Sequence, residues 1–253
     1  MCKKIDILNI KVNNVNMQQA REIVCDYIES GKNSHMIVTP NSEMVVRAQT
    51  DRQLATILNN ADLSIPDGAG IVLASRILAI ENFSERVAGF DLMEELFQVA
   101  EKKDYRFYLL GGEPGIAGEA KKRIEQDYSQ IKICGYHHGY LDRQVQQKVI
   151  NQINNLAPDI LLVGMGVPLQ ERFLYNNLER LRVKVGITVG GSFDVLAGKT
   201  RRAPVWMQRA YLEWFFRLLK EPSRLSRMVA LPRFVFLVFA QVIRELGGKK
   251  NND

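Results

Sequence analysis

The sequence predicts an α/β protein: a Rossmann-like, mostly parallel sheet with helices on both faces, followed by a helical C-terminal appendage. Over residues 1–200, short β-rich runs alternate with helical stretches, and hairpin signals such as Asn-Gly are scarce. That alternation is typical of parallel sheets joined by helical crossovers. After Arg202 the chain changes to basic segments rich in apolar and aromatic residues. We therefore expect an α/β catalytic domain over 1–199 and an appendage over 200–253.

The individual elements follow from the local patterns. Strands are predicted at Lys4–Ile10, His35–Val38, Asp62–Ile65, Arg106–Leu110, Ile131–Cys134, Ile160–Val163 and Lys184–Val189. Helices are predicted at Met17–Glu29, Ser42–Ala48, Phe90–Ala100, Pro114–Asp127, Arg143–Asn155 and Leu169–Leu178. The strand runs are rich in Val, Ile and aromatic residues, and the helical runs place apolar residues three and four apart.

Composition excludes several classes of protein. The 253 residues are 46% hydrophobic and 25% charged, which is ordinary for a globular chain and not for a disordered, fibrous or polytopic membrane protein. The three cysteines, Cys2, Cys25 and Cys134, are too scattered for a disulfide framework. The N-terminus lacks the apolar run of a secretory signal, so a cytoplasmic location is expected.

Glycine-rich or Asp/Asn-rich turns follow five of the predicted strands. They are TPNSE (39–43), PDGAG (66–70), GGEPG (111–115), GMGVP (164–168) and GGSFD (190–194). In an open parallel sheet such turns share the carboxyl edge, where ligands bind. Glycines such as Gly112, Gly164, Gly166 and Gly191 let the backbone approach a phosphate, and helix N-termini offer N–H donors to it. Five turns at one edge indicate a nucleotide or another phosphorylated ligand.

Other kinds of site are poorly supported. The Walker A pattern is absent, and a full G-x-G-x-x-G does not follow the first strand, which disfavours ATPase and NAD-binding readings. D-x-D, H-E-x-x-H and G-x-S-x-G are also absent. His137 and His138 are interpreted as contacts in a loop. We expect no metal and no cofactor.

Polar residues at the strand ends are the candidates for chemistry. Asp67 could be a general base in the ligand crevice, or an aspartate that shapes the turn before Gly68. Thr39 and Asn41 could bind a sugar or phosphate, or cap the helix beginning near Ser42. Arg86 could neutralise a diphosphate, with a surface salt bridge as the alternative.

Two further polar positions also allow more than one interpretation. Gln170 can hydrogen-bond a hydroxyl, whereas the neighbouring Glu171 could simply favour the helix dipole. Asp194 could bind a ribose hydroxyl or cap the following turn.

The basic excess lies at the C-terminus. Residues 1–200 hold 23 Lys+Arg and 24 Asp+Glu, a net charge of −1, whereas residues 201–253 hold 11 and 4, a net charge of +7. The same segment contains Trp206, Trp214 and the apolar run FVFLVFA (234–240). A true span is disfavoured by Pro232, Arg233, Gln241 and Arg244, so we expect an interfacial element on an anionic membrane. Packing of these helices on the main domain is the alternative. Nucleic-acid binding fits this apolar run poorly.

Seven stretches of the chain together resemble a known family. They are TPNSEMVVRA (39–48), IPDGAGIVLASR (65–76), RVAGFDL (86–92), FYLLGGEPG (107–115), GMGVPLQERF (164–173), GGSFDVLAGKTRRAP (190–204) and LEWFFRLLKEPSRLSR (212–227). In this order they are similar to the WecG/TagA/CpsF glycosyltransferases of bacterial surface-polymer synthesis. The arginine-rich C-terminal extension matches the members that make the linkage unit of wall teichoic acid.

The resemblance implies an activity and roles for matching residues. Such enzymes transfer N-acetylmannosamine (ManNAc) from UDP to the N-acetylglucosamine (GlcNAc) of a polyprenyl-diphosphate lipid, with inversion and without metal. By motif, Asp67 would be the catalytic base for the GlcNAc 4-hydroxyl. Thr39, Asn41 and Gln170 would hold the sugars, and Arg86 would bind phosphates. The tail arginines would close over the active site at the membrane; they are Arg217, Arg224 and Arg227.

The resemblance leaves the donor open, because the motifs do not separate ManNAc from ManNAcA or hexose donors. A different class of function also remains, a non-catalytic nucleotide-sugar-binding module at the membrane. The expected partners are a UDP-sugar, a polyprenyl-diphosphate-linked GlcNAc acceptor and an anionic membrane surface, with no nucleic acid and a possible homo-oligomer. The expected location is the inner face of the bacterial cell membrane.

Overall fold

The computed structural model of the chain describes residues 2–31, 33–78, 82–220, 225 and 229–249. Its main body is a six-stranded, all-parallel sheet with the order β4-β3-β8-β7-β5-β6. The strands are β3 (His35–Val38), β4 (Leu63–Ser64), β5 (Arg106–Gly111), β6 (Lys132–His137), β7 (Ile160–Gly164) and β8 (Val185–Thr188). The predicted fold class is confirmed.

Helices flank and follow this sheet. Those before β6 are α1 (Met17–Ser30), α2 (Ser42–Ala48), α3 (Arg52–Asn60), α4 (Ala69–Leu78), α5 (Gly89–Lys103) and α6 (Ile116–Asp127). Those after it are α7 (Arg143–Leu156), α8 (Leu169–Asn177), α9 (Ser192–Leu196), α10 (Val205–Arg209), α11 (Glu213–Lys220) and α12 (Ala230–Lys249). The helices α3 and α4 are not among the predicted ones, and β6 extends three residues beyond the end of its predicted strand.

The sheet separates two apolar cores. Successive side chains of a strand point to opposite faces, so Ile37 and Val38 of β3 belong to different cores. One core packs under α2, α3, α4, α7, α8 and α12, and the other under α1, α5, α6 and α9. The near-continuous apolar runs of β5 and β7 are buried on both faces, as expected for inner strands of a parallel sheet.

The first predicted strand, Lys4–Ile10, is wrong in its extent and its partner. The chain instead forms a separate antiparallel hairpin of β1 (Lys4–Ile7) and β2 (Ile10–Asn13). Its turn places Leu8 and Asn9 in the left-handed region, with φ of 54° and 65°. The Asn9 amide donates to Asp6 Oδ1 at 2.7 Å, which stabilises the turn. Leu8 is not a usual turn residue, so the sequence pattern concealed the hairpin.

The C-terminal segment continues onto the main body. α12 packs against α2 and α4, and its Phe234 and Val238 are buried in the core beneath them. Gln241 Oε1 also accepts a hydrogen bond from the Leu8 amide at 3.2 Å. Among the helices that the structure describes, none combines the length and the apolar character needed to cross a bilayer. The division of the chain at residue 199 stays a prediction.

Candidate active site

A large cavity lies at the carboxyl edge of the sheet. Its volume is 820 Å³, and residues of all five predicted turns line it, together with residues of the C-terminal segment. The turns meet here because β3, β4, β5, β7 and β8 run parallel and end at the same edge. The prediction that these turns converge on one crevice is therefore confirmed.

Asp67 lies in this cavity, three residues after the end of the short β4 strand. Its Oδ1 accepts a hydrogen bond from the Gly89 amide at 3.2 Å, at the first residue of α5. Burial raises the pKa of the Asp67 carboxyl; the Arg86 guanidinium opposes this effect and the Glu213 carboxylate adds to it. The side chain keeps 28% of its surface exposed, so the carboxyl can reach a bound molecule.

Arg86 connects Asp67 to the C-terminal segment. Its Nε donates to the backbone carbonyl of Asp67 at 2.6 Å, and its Nη2 lies 3.9 Å from Asp67 Oδ1. The same Nη2 donates to Oε2 of Glu213 at 2.9 Å. Arg86 thus takes part in a buried network and is not the surface salt bridge of the alternative interpretation.

Glu213 is the centre of an arginine cluster. Besides Arg86, its Oε1 accepts from Arg217 Nη2 at 3.1 Å and lies 3.5 Å from Arg202 Nε. Burial works to raise the pKa of Glu213, but the guanidinium groups, that of Arg217 first, outweigh it and hold the pKa below its ordinary value. The carboxylate is therefore ionised and satisfied by cations.

Arg202 is fixed from several sides. Its guanidinium carbon lies 4.6 Å from the centroid of the Phe90 ring, and its Nη1 pairs with Asp91. The Arg202 side chain is only 16% exposed. Stacking and ion pairing together hold this guanidinium in one orientation at the wall of the cavity.

Thr39 and Asn41 line the cavity but are also used by the fold. The Thr39 hydroxyl donates to the Thr188 carbonyl at 3.3 Å, which joins β3 to the end of β8. The Asn41 side chain accepts from the Met44 amide at 3.0 Å and caps α2. The capping interpretation of Asn41 is therefore confirmed. A role of its side-chain amide nitrogen in sugar binding stays a prediction.

Gln170 and Glu171 form a buried pair at the start of α8. Gln170 Nε2 donates to Glu171 Oε1 at 2.6 Å, and Gln170 Oε1 accepts from the Gly190 amide at 3.0 Å. Gln170 is 1% exposed and Glu171 is fully buried. Burial raises the pKa of Glu171 to about 7, although the Gln170 hydrogen bond opposes this. The pair fixes the turn after β8.

The candidate glycines Gly112, Gly164, Gly166 and Gly191 all line the cavity. Gly164 has a packing reason to lack a side chain, because a Cβ there would lie 2.7 Å from the Gly190 carbonyl oxygen. Gly166 has open space beside it but a φ of 76°, which L side chains rarely adopt. The turns after β7 and β8 therefore approach each other as only glycine allows.

Of the four remaining candidates, two line the cavity and two lie outside the residues that the structure describes. Asp194 lines the cavity and lies 3.5 Å from Lys199 Nζ, which also contacts Glu113 at 2.7 Å. Arg217 also lines the cavity, and its guanidinium group donates a hydrogen bond to Glu213. Arg224 and Arg227 lie outside the described residues.

Three charged residues of this region were not predicted from the sequence as parts of the site. Glu213 and Arg202 lie inside the quoted motifs LEWFFR and GKTRRAP, yet only a tertiary contact reveals that they meet. Glu171 was interpreted through the helix dipole, and its complete burial was not foreseen. Within the described residues, no group of three or more His, Cys, Asp or Glu side chains is close enough to hold a metal ion.

Comparison with known proteins gives a consistent result. The family model described as "Glycosyl transferase WecG/TagA/CpsF family" matches residues 5–247. A relative from Bacillus subtilis (strain 168) is 37% identical over 220 residues, which covers 85% of each chain. One from Staphylococcus aureus (strain MRSA252) is 32% identical over 236 residues, 93% of this chain and 92% of the relative. Both are named N-acetylglucosaminyldiphosphoundecaprenol N-acetyl-beta-D-mannosaminyltransferase. The chain therefore belongs to the WecG/TagA/CpsF family of glycosyltransferases and is an enzyme of that class.

Proposed function

We propose that the enzyme transfers ManNAc from UDP-ManNAc to the 4-hydroxyl of the GlcNAc in a polyprenyl-diphosphate-GlcNAc lipid. The observation that carries the proposal is the placement of the Asp67 carboxyl in the 820 Å³ cavity beside an arginine cluster. The names of the relatives support the same acceptor and the same transferred sugar. The product would belong to the linkage unit of wall teichoic acid.

Asp67 is proposed as the general base. Inversion needs one in-line displacement, in which the acceptor hydroxyl loses its proton as its oxygen attacks the anomeric carbon and the UDP leaves. A carboxyl with a pKa raised by burial accepts that proton more readily than an ordinary aspartate. The Gly89 amide holds the carboxylate in one orientation.

The leaving diphosphate requires positive charge as its bond to the sugar breaks. Arg86 and Arg217, with Arg224 and Arg227 by motif, are proposed to supply it in place of a divalent ion. Glycine turns and the N-termini of α5 and α9 add backbone N–H donors at the same edge. Thr39, Asn41 and Gln170 are proposed to orient the sugars, and Asp194 the ribose.

The lipid acceptor requires that the cavity open at a membrane. α12 exposes Val235, Phe236, Phe239 and Ile243 on the side away from Phe234 and Val238. An exposed apolar stripe in a segment with net charge +7 fits the surface of an anionic bilayer. The proposed location is accordingly peripheral, on the inner face of the bacterial cell membrane.

The test measures the UDP released from a UDP-sugar donor when a short-chain polyprenyl-diphosphate-GlcNAc analogue is the acceptor, with EDTA present. UDP-ManNAc, UDP-ManNAcA, UDP-GlcNAc and UDP-glucose are compared as donors. For Asp67→Asn we expect kcat to fall about 100- to 10,000-fold while UDP still binds, because the variant lacks only the proton acceptor. Asp127→Asn, at the exposed end of α6, is the matched control and should retain full activity.

The outcomes separate the parts of the proposal. Turnover specific to another donor would move the enzyme to a different surface polymer with the same mechanism. UDP binding without turnover for any donor would favour the non-catalytic module. Full activity of Asp67→Asn would remove Asp67 as the base, and turnover that requires added metal would contradict the assigned role of the arginines.

A further inference from the structure

The helix that carries Arg217 is attached to the cavity in an unusual way. Within α11, every residue of which the structure describes, Glu213 is the buried one, at 8% exposure. Three of its large apolar residues are exposed instead: Trp214 and Phe215 are each 41% exposed and Leu219 is 63% exposed. Phe216 and Leu218 are half-buried. Much of the apolar surface of α11 therefore contributes no burial energy to holding the helix at the cavity.

Ionic contacts join α11 to the wall of the cavity. Glu213 contacts two arginines outside its own helix, Arg86 and Arg202. Arg86 in turn donates a hydrogen bond to the Asp67 carbonyl, and Arg202 pairs with Asp91 of α5. Within the helix, Glu213 also binds Arg217 one turn later. One carboxylate thus joins α11 to the residues around Asp67 and sets the orientation of Arg217.

An acidic residue in a cavity that binds a diphosphate would ordinarily repel its ligand. Here both Glu213 oxygens are occupied by guanidinium groups, so the carboxylate is neutralised and shielded from the open part of the cavity. Three guanidinium groups held this close would repel one another without a common anion. This arrangement suits Glu213 to act through the arginines rather than by contact with a substrate.

We propose that Glu213 is a positioning residue for sugar transfer: its carboxylate fastens α11 over the cavity and places Arg217 near the reacting groups beside Asp67. This inference rests on the proposed function for its kinetic consequences. Its structural consequence, the attachment of α11, is independent of which sugar is transferred.

The kinetic test compares wild type, Glu213→Gln, Arg217→Gln and the double variant in the UDP-release assay. Glutamine keeps the shape of Glu213 but cannot neutralise the guanidinium groups, so we expect kcat to fall roughly 10- to 100-fold. Because Glu213 acts through Arg217, the double variant should be no slower than the slower single variant, within about twofold. Glu95→Gln, which removes an ion pair between α5 and Arg21 of α1, should leave kcat unchanged.

The structural test measures hydrogen exchange of the α11 amides. Exchange there should quicken in Glu213→Gln, while β5 and β7 remain protected as in wild type. Should that variant fail to fold, Glu213→Asp retains the charge on a shorter side chain, and we expect intermediate kcat and intermediate exchange.

Two results would overturn the inference. One is a decrease of kcat in the double variant that equals the product of the decreases in the two single variants. The other is amide exchange of α11 in Glu213→Gln that is as slow as in wild type. If wild type transfers no sugar from any donor, the proposed function fails. The exchange comparison then decides the role of Glu213 alone.

Discussion

Single residues of the site serve both the fold and the chemistry proposed for it. Thr39, Asn41 and Gln170 each give a hydrogen-bonding group to the backbone around the cavity. Such bonds fix side chains that line a ligand crevice, so little ordering is required when the ligand binds. Glu171, next to Gln170 in the chain, is a carboxyl group that is buried beside the cavity wall. Its Oε1 accepts a hydrogen bond from Gln170, whereas its Oε2 has no hydrogen-bond partner among the described residues.

The burial of Glu171 predicts a dependence of stability on pH. The pKa of Glu171 in the folded chain is about 7, above its ordinary value of 4.5, so the folded state binds the extra proton between these values. The free energy of unfolding should therefore fall as pH rises from about 4.5 to 7, by up to about 3 kcal/mol. The charge of Arg47 opposes this shift, and other titrating groups add to the profile.

Glu171→Gln isolates this contribution, because glutamine imitates the protonated acid at every pH. Denaturant unfolding at pH 5 and pH 8 should show that the variant loses less stability than wild type between the two values. Any fixed cost of the substitution cancels in that difference. Equal losses in the two proteins would mean that Glu171 ionises normally in the folded chain.

At the level of elements, α12 has two apolar faces with different surroundings. Phe234 and Val238 pack on α2 and α4, whereas Phe236 and Phe239 are exposed. The two interpretations of the FVFLVFA run therefore apply to different faces of this helix. One face packs on the main body, and the other face is exposed. The proposal of membrane binding concerns the second face.

Phe234 and Phe236 offer a matched pair of substitutions on one helix. Phe234→Ala removes a ring that is 3% exposed and should lower the free energy of unfolding by about 3–5 kcal/mol. Phe236→Ala removes a ring that is 72% exposed and should change stability by less than about 0.5 kcal/mol. Sedimentation with anionic vesicles should instead weaken for Phe236→Ala. Unchanged sedimentation would argue against this face as the membrane contact.

For the whole molecule, the separation of charge gives a further prediction. The net charge is −1 over residues 1–200 and +7 over residues 201–253, so we expect the C-terminal segment to turn towards an anionic surface. Binding to vesicles that contain anionic lipid should weaken steeply between about 0.05 and 0.5 M salt, because salt screens exposed charges. Neutral vesicles should bind weakly at every salt concentration. Equal binding to neutral and anionic vesicles would show that charge plays no part.

Much of the fold and part of the site could be predicted from local patterns. His35–Val38 and Ser42–Ala48 match their predicted bounds, since a β-branched run and a capped amphipathic turn are strong local signals. The hairpin at Leu8 and Asn9 was missed because its turn uses an unusual residue in a left-handed conformation. The helix α4 was hidden in a glycine-containing stretch that was interpreted only as a ligand turn.

The sequence by itself determined the parallel α/β class, the convergence of five turns on one edge, the family, and the basic character of the C-terminal segment. Each of these depends on residue type, periodicity or order along the chain. Only the tertiary structure decided that Glu213 joins Arg86, Arg202 and Arg217, and that Glu171 is buried beside Gln170. Glu213 and Arg86 are separated by 127 residues, and the pairing of charges so distant in the chain is set by how the helices pack on the sheet.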